Sequence, residues 1–301
     1  MRLRVTGILP EPGARVLVQG ITGRSGSLHA SAMRAYGTNV VAGVTPGKGG
    51  QAVDGVPVYD SVEEAVRQTG ASVSVLFVPA PGLLAAAEEA ISAGVRFLVP
   101  ITEHVPIRDT LMIVELCGER GARAIGPNTA GLIAPGERLE LGIMPPAPFS
   151  PGGVALFSRS GSLMYEVADE LTAAGFGQRA ALGVGGDPVN CTTLRDCLDW
   201  AARDEGVTSV VLVGEIGGDA EERLASHAAE TGFSKPLVAY IAGRSAPREK
   251  RMGHAGAIIY GDYGTVESKV SALERAGASV ARAASEIPGL LAALLEGGTR
   301  P

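Results

Sequence analysis

At 301 residues the chain exceeds one average domain, and length favours two domains of roughly 150 residues each. A composition that is 46% hydrophobic but only 4% aromatic, with 42 glycines, suits an α/β protein whose strands are buried on both faces, and argues against an aromatic-rich β-sandwich. The formal charge of -6, with no dense Lys/Arg run, argues against a nucleic-acid groove or an anionic membrane surface as the main partner, so any bound anion must be met by local groups.

The opening stretch MRLRVTGILPEPGARVLVQG has no long apolar segment ending in a small-residue cleavage site, and no later run reaches about 18 uninterrupted apolar residues. The expected location is the cytoplasm, or an organelle matrix for a form that works there. From Arg15 onward one unit repeats: a short β-branched run, a helical stretch, a glycine. In the first half the strand candidates are RVLVQG (from Arg15), NVVAGV (from Asn39), SVSVLFV (from Ser72), RFLVPIT (from Arg96) and RAIGPN (from Arg123). Between them SVEEAVRQTG, GLLAAAEEAISAG and RDTLMIVELCGERG have helical periodicity and end in glycine, as helix C-termini often do.

The alternation breaks where Pro135, Pro145, Pro146, Pro148 and Pro151 fall close together and preclude a regular helix. It restarts with GVALFS (from Gly153), QRAALGVGG (from Gln178), SVVLVGE (from Ser209), PLVAYIAG (from Pro236) and ASVARAA (from Ala278). The expected architecture is α/β with two doubly wound domains, residues 1-134 and 153-301, joined by a proline-rich linker at 135-152. Ligands of open parallel sheets gather at the C-terminal strand ends, which directs attention to the loops after Gly20, Val44, Val78, Ile101, Ser158, Val184, Glu215 and Gly243.

The first of these loops, Gly20 to Gly26, has the spacing GxxGxxG and joins a strand to a helix, where backbone N–H groups can meet a phosphate. The spacing departs from the dinucleotide fingerprint GxGxxG, and glycines needed only for a tight turn are the alternative. At the end of the second strand an NAD-binding fold would carry Asp or Glu; here stand Thr45, Pro46, Gly47, Lys48, Gly49 and Gly50. A lysine among glycines suits an extra phosphate, as on the 3′-phosphorylated ADP portion of CoA or on NADP, or it is a solvated loop cation. The stretch from Gly43 to Lys48 is not a P-loop, because three residues rather than four separate Gly43 from Gly47 and Gly49 stands where Ser/Thr would bind magnesium.

In the second half, Ser158-Arg159-Ser160-Gly161-Ser162 precedes a helical run, and serine hydroxyls with free N–H groups at a helix start either hold phosphate or simply cap the helix. His254 lies in a loop of small residues that allows close approach to a phosphoryl donor, and neutral imidazole is a competent nucleophile near pH 7. A structural role for a loop histidine remains the alternative. Glu215, at the end of SVVLVGE, is placed where a carboxylate could orient an imidazole or merely face solvent. Cys117, Cys191 and Cys197 show no CxxC pair, and His29, His104, His227 and His254 lack ligand spacing, so neither a disulfide framework nor a protein-held metal is expected.

The strings VTPGKGG, SRSG, GVGGDP, GEIGG and above all RMGHAGAII are long and specific, and from about Arg15 to about Leu295 the chain resembles the alpha subunits of succinyl-CoA synthetases. The resemblance implies a Rossmann-like CoA-binding domain followed by a flavodoxin-like ligase domain. It implies that His254 is transiently phosphorylated, that Glu215 contacts it, and that Ser160, Gly161 and Ser162 bind the phosphoryl group. CoA contacts fall on Thr22, Gly23, Arg24, Ser25, Lys48, Ile101, Thr102 and Glu103, and Tyr165 matches a substrate-associated tyrosine. A beta subunit with an ATP-grasp domain would bind Mg-ATP or Mg-GTP, in an αβ or α2β2 assembly. The implied reaction joins succinate to CoA through a phosphohistidine and an acyl phosphate.

Three departures stand out. Gly126-Pro-Asn-Thr129-Ala130-Gly131 replaces the usual GPNCPG, Val189 to Thr193 replaces a small glycine-containing loop, and GRSG replaces GSQG or GKQG. They leave open a paralogue that ligates malate or another dicarboxylate. An NAD(P)-dependent oxidoreductase, suggested by the βαβ opening, lacks the ribose-binding acid, and a non-catalytic CoA-binding protein would leave His254 without a role.

Overall fold

The computed structural model describes residues 7-245, 253, 254, 256-259 and 264-297; of the histidine loop, Lys250, Arg251, Met252 and Ala255 lie outside the described residues. The chain forms two compact units. The first takes the chain up to Ile133 with Glu137–Met144 and Val189–Thr192, and the second takes Ala134–Gly136, Pro145–Pro188 and the chain from Thr193 onward.

In the first unit the strands are β1 (Val16–Gln19), β2 (Val40–Val44), β3 (Ala52–Val53), β4 (Val56–Tyr59), β5 (Val73–Leu76), β6 (Phe97–Pro100) and β7 (Arg123–Ala124), in the spatial order β3-β4-β2-β1-β5-β6-β7. Only β3 and β4 pair antiparallel. Without β3 the order is 3-2-1-4-5-6, that of the Rossmann fold, with its switch point between β1 and β5. Every residue of β1, β5 and β6 is buried, because helices cover both faces and strict alternation is not needed.

Those helices are α1 (Arg24–Tyr36), α2 (Val62–Thr69), α3 (Ala80–Ser92) and α4 (Ile107–Arg120). Ser61 caps α2 by accepting the Glu64 N–H, and Gly70 ends that helix in the left-handed region. Leu17, Leu76, Leu83, Ile91, Leu98 and Ile113 belong to one core between sheet and helices.

A hairpin of β8 (Gly131–Ala134) and β9 (Leu139–Gly142) follows. Thr38, just past α1, ties β9 down twice: its hydroxyl donates to the Glu140 carbonyl at 2.7 Å and accepts the Glu140 N–H at 2.9 Å.

The second unit carries β10 (Pro151–Ser158), β11 (Gln178–Gly183), β12 (Ser209–Glu215), β13 (Leu237–Ala242) and β14 (Ser279–Ala281), in the order β11-β10-β12-β13-β14. All are parallel, and 2-1-3-4-5 is the flavodoxin-like order. Around them lie α5 (Gly161–Ala173), α6 (Leu194–Arg203), α7 (Ala220–Thr231), α8 (Val266–Arg275) and α9 (Ile287–Glu296). Phe157 of β10 is fully buried and meets Trp200 of α6 edge-on at 6.2 Å between ring centroids. Among the described residues no helix is long and apolar enough to cross a membrane.

Candidate active site

In the second unit β10 is flanked by β11, which follows it in sequence, and by β12, which comes after β11. Connections therefore leave β10 and β11 in opposite senses, and a crevice opens at the C-terminal ends of these strands. Four loops reach it: Arg159–Ser160 after β10, Val184–Pro188 after β11, Ile216–Asp219 after β12, and the loop after β13 that carries His254.

Glu215 is the last residue of β12 and is buried. His254, 39 residues further on, places Nδ1 at 2.9 Å from Glu215 Oε2 and 3.0 Å from Oε1. An ionised carboxylate only accepts, so the hydrogen sits on Nδ1 and the ring lone pair on Nε2. The imidazole lies against Gly186, where a Cβ would come within 2.4 Å of His254 Cγ. The loop itself is pinned by the Gly256 N–H on the Gly186 carbonyl at 3.3 Å and the Ala257 N–H on the His254 carbonyl at 3.1 Å.

Beneath this pair lies a buried charge network. Arg159 Nη2 is 3.4 Å from Glu215 Oε1, while its Nη1 donates to the Gly217 carbonyl at 3.0 Å and lies 3.4 Å from Glu221 Oε1. The same Glu221 oxygen accepts the Glu215 N–H at 3.2 Å. Lys269 of α8, wholly buried, bonds Glu221 Oε2, the Gly218 carbonyl at 3.0 Å and Glu222 Oε2 at 3.0 Å. Burial pushes the Glu221 carboxyl upward, but Arg159 and Lys269 outweigh it and hold the group below its ordinary value.

The start of α5 stands at the same strand ends. Ser160 is its N-cap without a side-chain cap, since the local hydroxyl bonds belong to Ser158: Oγ accepts the Ser160 N–H at 3.0 Å and donates to the Ser160 carbonyl at 2.7 Å. The first-turn N–H groups, those of Gly161 and Ser162 among them, therefore have no intrahelical acceptor and suit an anion. One turn on, Tyr165 is half-buried and meets Phe149 edge-on at 6.3 Å.

In the first unit the switch point is lined by the loop between β1 and α1. Gly20 adopts φ 77°, and a Cβ on Gly26 would lie 2.1 Å from the Gly20 carbonyl oxygen, so strand and helix are joined more tightly than any side chain permits. Gly23 is the α1 N-cap without a side-chain cap, and Arg24 and Ser25 are exposed in the first turn. Thr22 Oγ1 donates to Thr45 Oγ1 at 3.2 Å and so ties this loop to the one after β2, where Lys48 is exposed. Ile101, Thr102 and Glu103 follow β6; the Thr102 hydroxyl donates to the Val78 carbonyl at 2.6 Å, joining the loops after β5 and β6. All eight residues thus stand at the C-terminal edge of the first sheet.

Thr129 is buried, and its hydroxyl accepts the Gly131 N–H at 2.9 Å, closing its own turn. Val189–Thr192 is held to the end of β7 by the Cys191 N–H on the Gly126 carbonyl at 2.8 Å and the Thr192 hydroxyl on the Ala124 carbonyl at 2.6 Å. The three cysteines are free thiols; burial pushes Cys117 up to about 11 and raises Cys191 as well. Among the described residues no group of three or more His, Cys, Asp or Glu is arranged to hold a metal.

Arg159 and Gly186 lie within the quoted strings SRSG and GVGGDP but were given no role of their own, and Glu221 and Lys269 were not singled out by the sequence. The signal for two of them was present: Lys269 shares the buried face of α8 with Val266 and Leu273, and Glu221 shares that of α7 with Leu224, Ala225 and Ala228. A charge on an apolar stripe marks a buried, paired group.

Comparison with known proteins bears on both units. Residues 13–104 match the family model described as a CoA binding domain, and residues 157–279 match that described as CoA-ligase. The chain is 47% identical over 291 residues to the succinate–CoA ligase [ADP-forming] subunit alpha of Aquifex aeolicus, covering 96% of this chain and 95% of that one. It is 50% identical over 288 residues to subunit alpha 2 of the same enzyme from Archaeoglobus fulgidus, covering 96% and 99%. Among solved structures, ATP citrate lyase from Methanothrix soehngenii in complex with citrate and coenzyme A superposes with a TM-score of 0.85 at 22% identity, over 97% of this chain. The present chain spans about half of that protein, 52%, and the likeness is one of fold.

Proposed function

Because the chain belongs to the family of succinate–CoA ligase alpha subunits, we propose that its His254 is the phosphoryl carrier of a ligase that reversibly joins succinate to CoA. The observation that carries this assignment is the bond between His254 Nδ1 and the buried Glu215 carboxylate, which fixes the tautomer and directs the Nε2 lone pair outward as nucleophile.

In the proposed sequence Nε2 attacks the terminal phosphorus of a nucleoside triphosphate, and the bond to the departing diphosphate oxygen breaks. The Nδ1 proton stays on the ring, and Glu215 compensates the positive charge that phosphorylation of Nε2 leaves there. The N-terminal N–H groups of α5, with Ser160, Gly161 and Ser162, receive the phosphoryl oxygens. A succinate carboxylate then takes the phosphorus from Nε2, giving an acyl phosphate, and Tyr165 is assigned to the acid. Attack of the CoA sulfur on the acyl carbon releases inorganic phosphate. CoA is assigned to the first unit, at Thr22, Gly23, Arg24, Ser25, Lys48, Ile101, Thr102 and Glu103, where Lys48 and Arg24 supply positive charge for its phosphates.

The same proposal divides the chain functionally into a CoA domain (1-134), a connecting stretch (135-152) and a ligase domain (153-301). It assigns Mg-ATP or Mg-GTP to an ATP-grasp beta subunit in an αβ or α2β2 assembly located in the cytoplasm. The alpha-subunit relatives support a partner chain, and their ADP-forming names favour ATP.

Intact-mass measurement tests the proposal on the chain co-purified with its beta subunit after incubation with Mg-ATP. One acid-labile phosphoryl group is expected, absent from His254→Ala and discharged by succinate plus CoA. A folded complex that takes no phosphoryl group from either ATP or GTP refutes the assignment.

A further inference from the structure

The charges beneath His254 alternate in sign along a connected path: Lys269 to Glu221, Glu221 to Arg159, Arg159 to Glu215, Glu215 to the imidazole. Lys269 and Glu221 have no exposed side-chain surface, and the Arg159 side chain is 5% exposed. Three segments that are distant in sequence supply them: the loop after β10, the first turn of α7 and the N-terminal half of α8. A buried ion network is weak as a source of stability, since apolar side chains of the same volume usually serve as well. Its presence under a nucleophile calls for another explanation.

The geometry supplies one. A single Glu221 oxygen engages both the Arg159 guanidinium and the Glu215 backbone N–H, so it fixes the end of β12 and the cation that faces the Glu215 side chain together. Arg159 uses one terminal nitrogen toward Glu221 and the other toward Glu215, a fork that a lysine cannot reproduce. Lys269 in turn fills the other Glu221 oxygen and anchors the Gly218 carbonyl of the loop between β12 and α7.

We propose that Arg159, Glu221 and Lys269 are positioning residues for phosphoryl transfer, holding the Glu215 carboxylate in line with Nδ1 of His254. None of the three need touch the phosphoryl group; they act through Glu215. The inference rests on the assignment of His254 as phosphoryl carrier.

Its test is single-turnover phosphorylation of the complete complex with the beta subunit. The double variant Glu221→Gln/Lys269→Met removes one buried charge of each sign while preserving shape, and Arg159→Lys keeps the charge but loses the fork. For each, CoA affinity reports on the first unit, to which no member of the network belongs, and the nucleotide KM reports on binding of the donor. Both variants should phosphorylate His254 at a maximal rate at least tenfold below wild type, with CoA Kd and nucleotide KM unchanged. If the double variant does not assemble, Arg159→Lys decides alone. Wild-type rates in the variants that assemble overturn the positioning role and leave the His254 assignment intact. Absence of phosphorylation in the wild-type complex overturns that assignment, and the present inference with it.

Discussion

Gly186 illustrates how one residue can set the position of the reacting atom. A Cβ there would lie 2.4 Å from Cγ and 2.6 Å from Nδ1 of His254, well inside contact distance. The obstructing atoms belong to a side chain on a loop, so the ring moves rather than the backbone, and the bond from Nδ1 to Glu215 breaks. Gly186→Ala is therefore expected to cost little in stability, about 1 kcal/mol or less, because its backbone does not require a left-handed conformation. The phosphorylation rate of His254 should fall by about 100-fold, the usual consequence of moving a reacting group by an ångström. Thermal unfolding and single-turnover phosphorylation measured side by side check the split; a large loss of stability with a normal rate contradicts it. Among the site residues, His254 and Glu215 were legible in the sequence as separate features, a histidine in a small-residue loop and a carboxylate closing an apolar strand. Their union was expected from the family resemblance alone and not from spacing, because a separation of 39 residues becomes a 2.9 Å contact only once β12 and β13 pair as neighbours.

At the scale of elements, the alternation of strand and helix could be read because strands covered on both faces are unbroken apolar runs, and because α2, α4 and α7 end at glycines in the left-handed region. Strand β4 escaped that reading. Its four residues include Pro57, and the turn before it, at Asp54 and Gly55, has positive φ at both positions, which belongs to a hairpin rather than to a βαβ unit. Strand β9 was equally hidden, since it has four residues, one of them the buried Glu140, and lies within the proline-bearing stretch. Glu140 also gives this hairpin a pH dependence. Burial pushes its carboxyl from an ordinary 4.5 up to about 8, against the opposing Met144 N–H on Oε1 at 3.1 Å. Between those values the folded chain holds a proton that the unfolded chain has lost, so stability falls as pH rises from 4.5 through 8 and levels off above. Glu140→Gln keeps the acceptor for Met144 and has no proton to lose. Its stability gain over wild type should be near zero at pH 4.5 and grow with pH, with a ceiling of about 1.4 kcal/mol per unit of displaced pKa. Denaturant unfolding at pH 5 and pH 8.5 measures it; a gain independent of pH shows that Glu140 ionises as freely in the folded chain as in the unfolded one.

For the molecule as a whole, each unit is a complete doubly wound sheet with its own crevice at the strand ends, and the two crevices differ in chemistry. The first offers a glycine-framed helix start and the exposed cations Arg24 and Lys48, suited to the several phosphates of one large anion. The second offers an oriented imidazole, a buried carboxylate and a helix start suited to one phosphoryl group in transit. Neither resembles a P-loop: after β2 the residue following Lys48 is glycine, and that glycine's N–H is already committed to Asp60 Oδ1 at 2.8 Å. Binding and chemistry should therefore separate when the chain is studied without its partner. The isolated chain is expected to bind CoA, weakened by Lys48→Ala through loss of a charge-assisted contact worth about 1.5–3 kcal/mol, or roughly ten- to a hundredfold in Kd. Mg-ATP alone should leave His254 unmodified, and addition of the beta subunit should restore phosphorylation. Calorimetric titration with CoA and intact-mass analysis of the same preparation separate the two properties. Phosphorylation of the isolated chain by Mg-ATP would place the nucleotide site on this chain and remove the need for a nucleotide-binding partner.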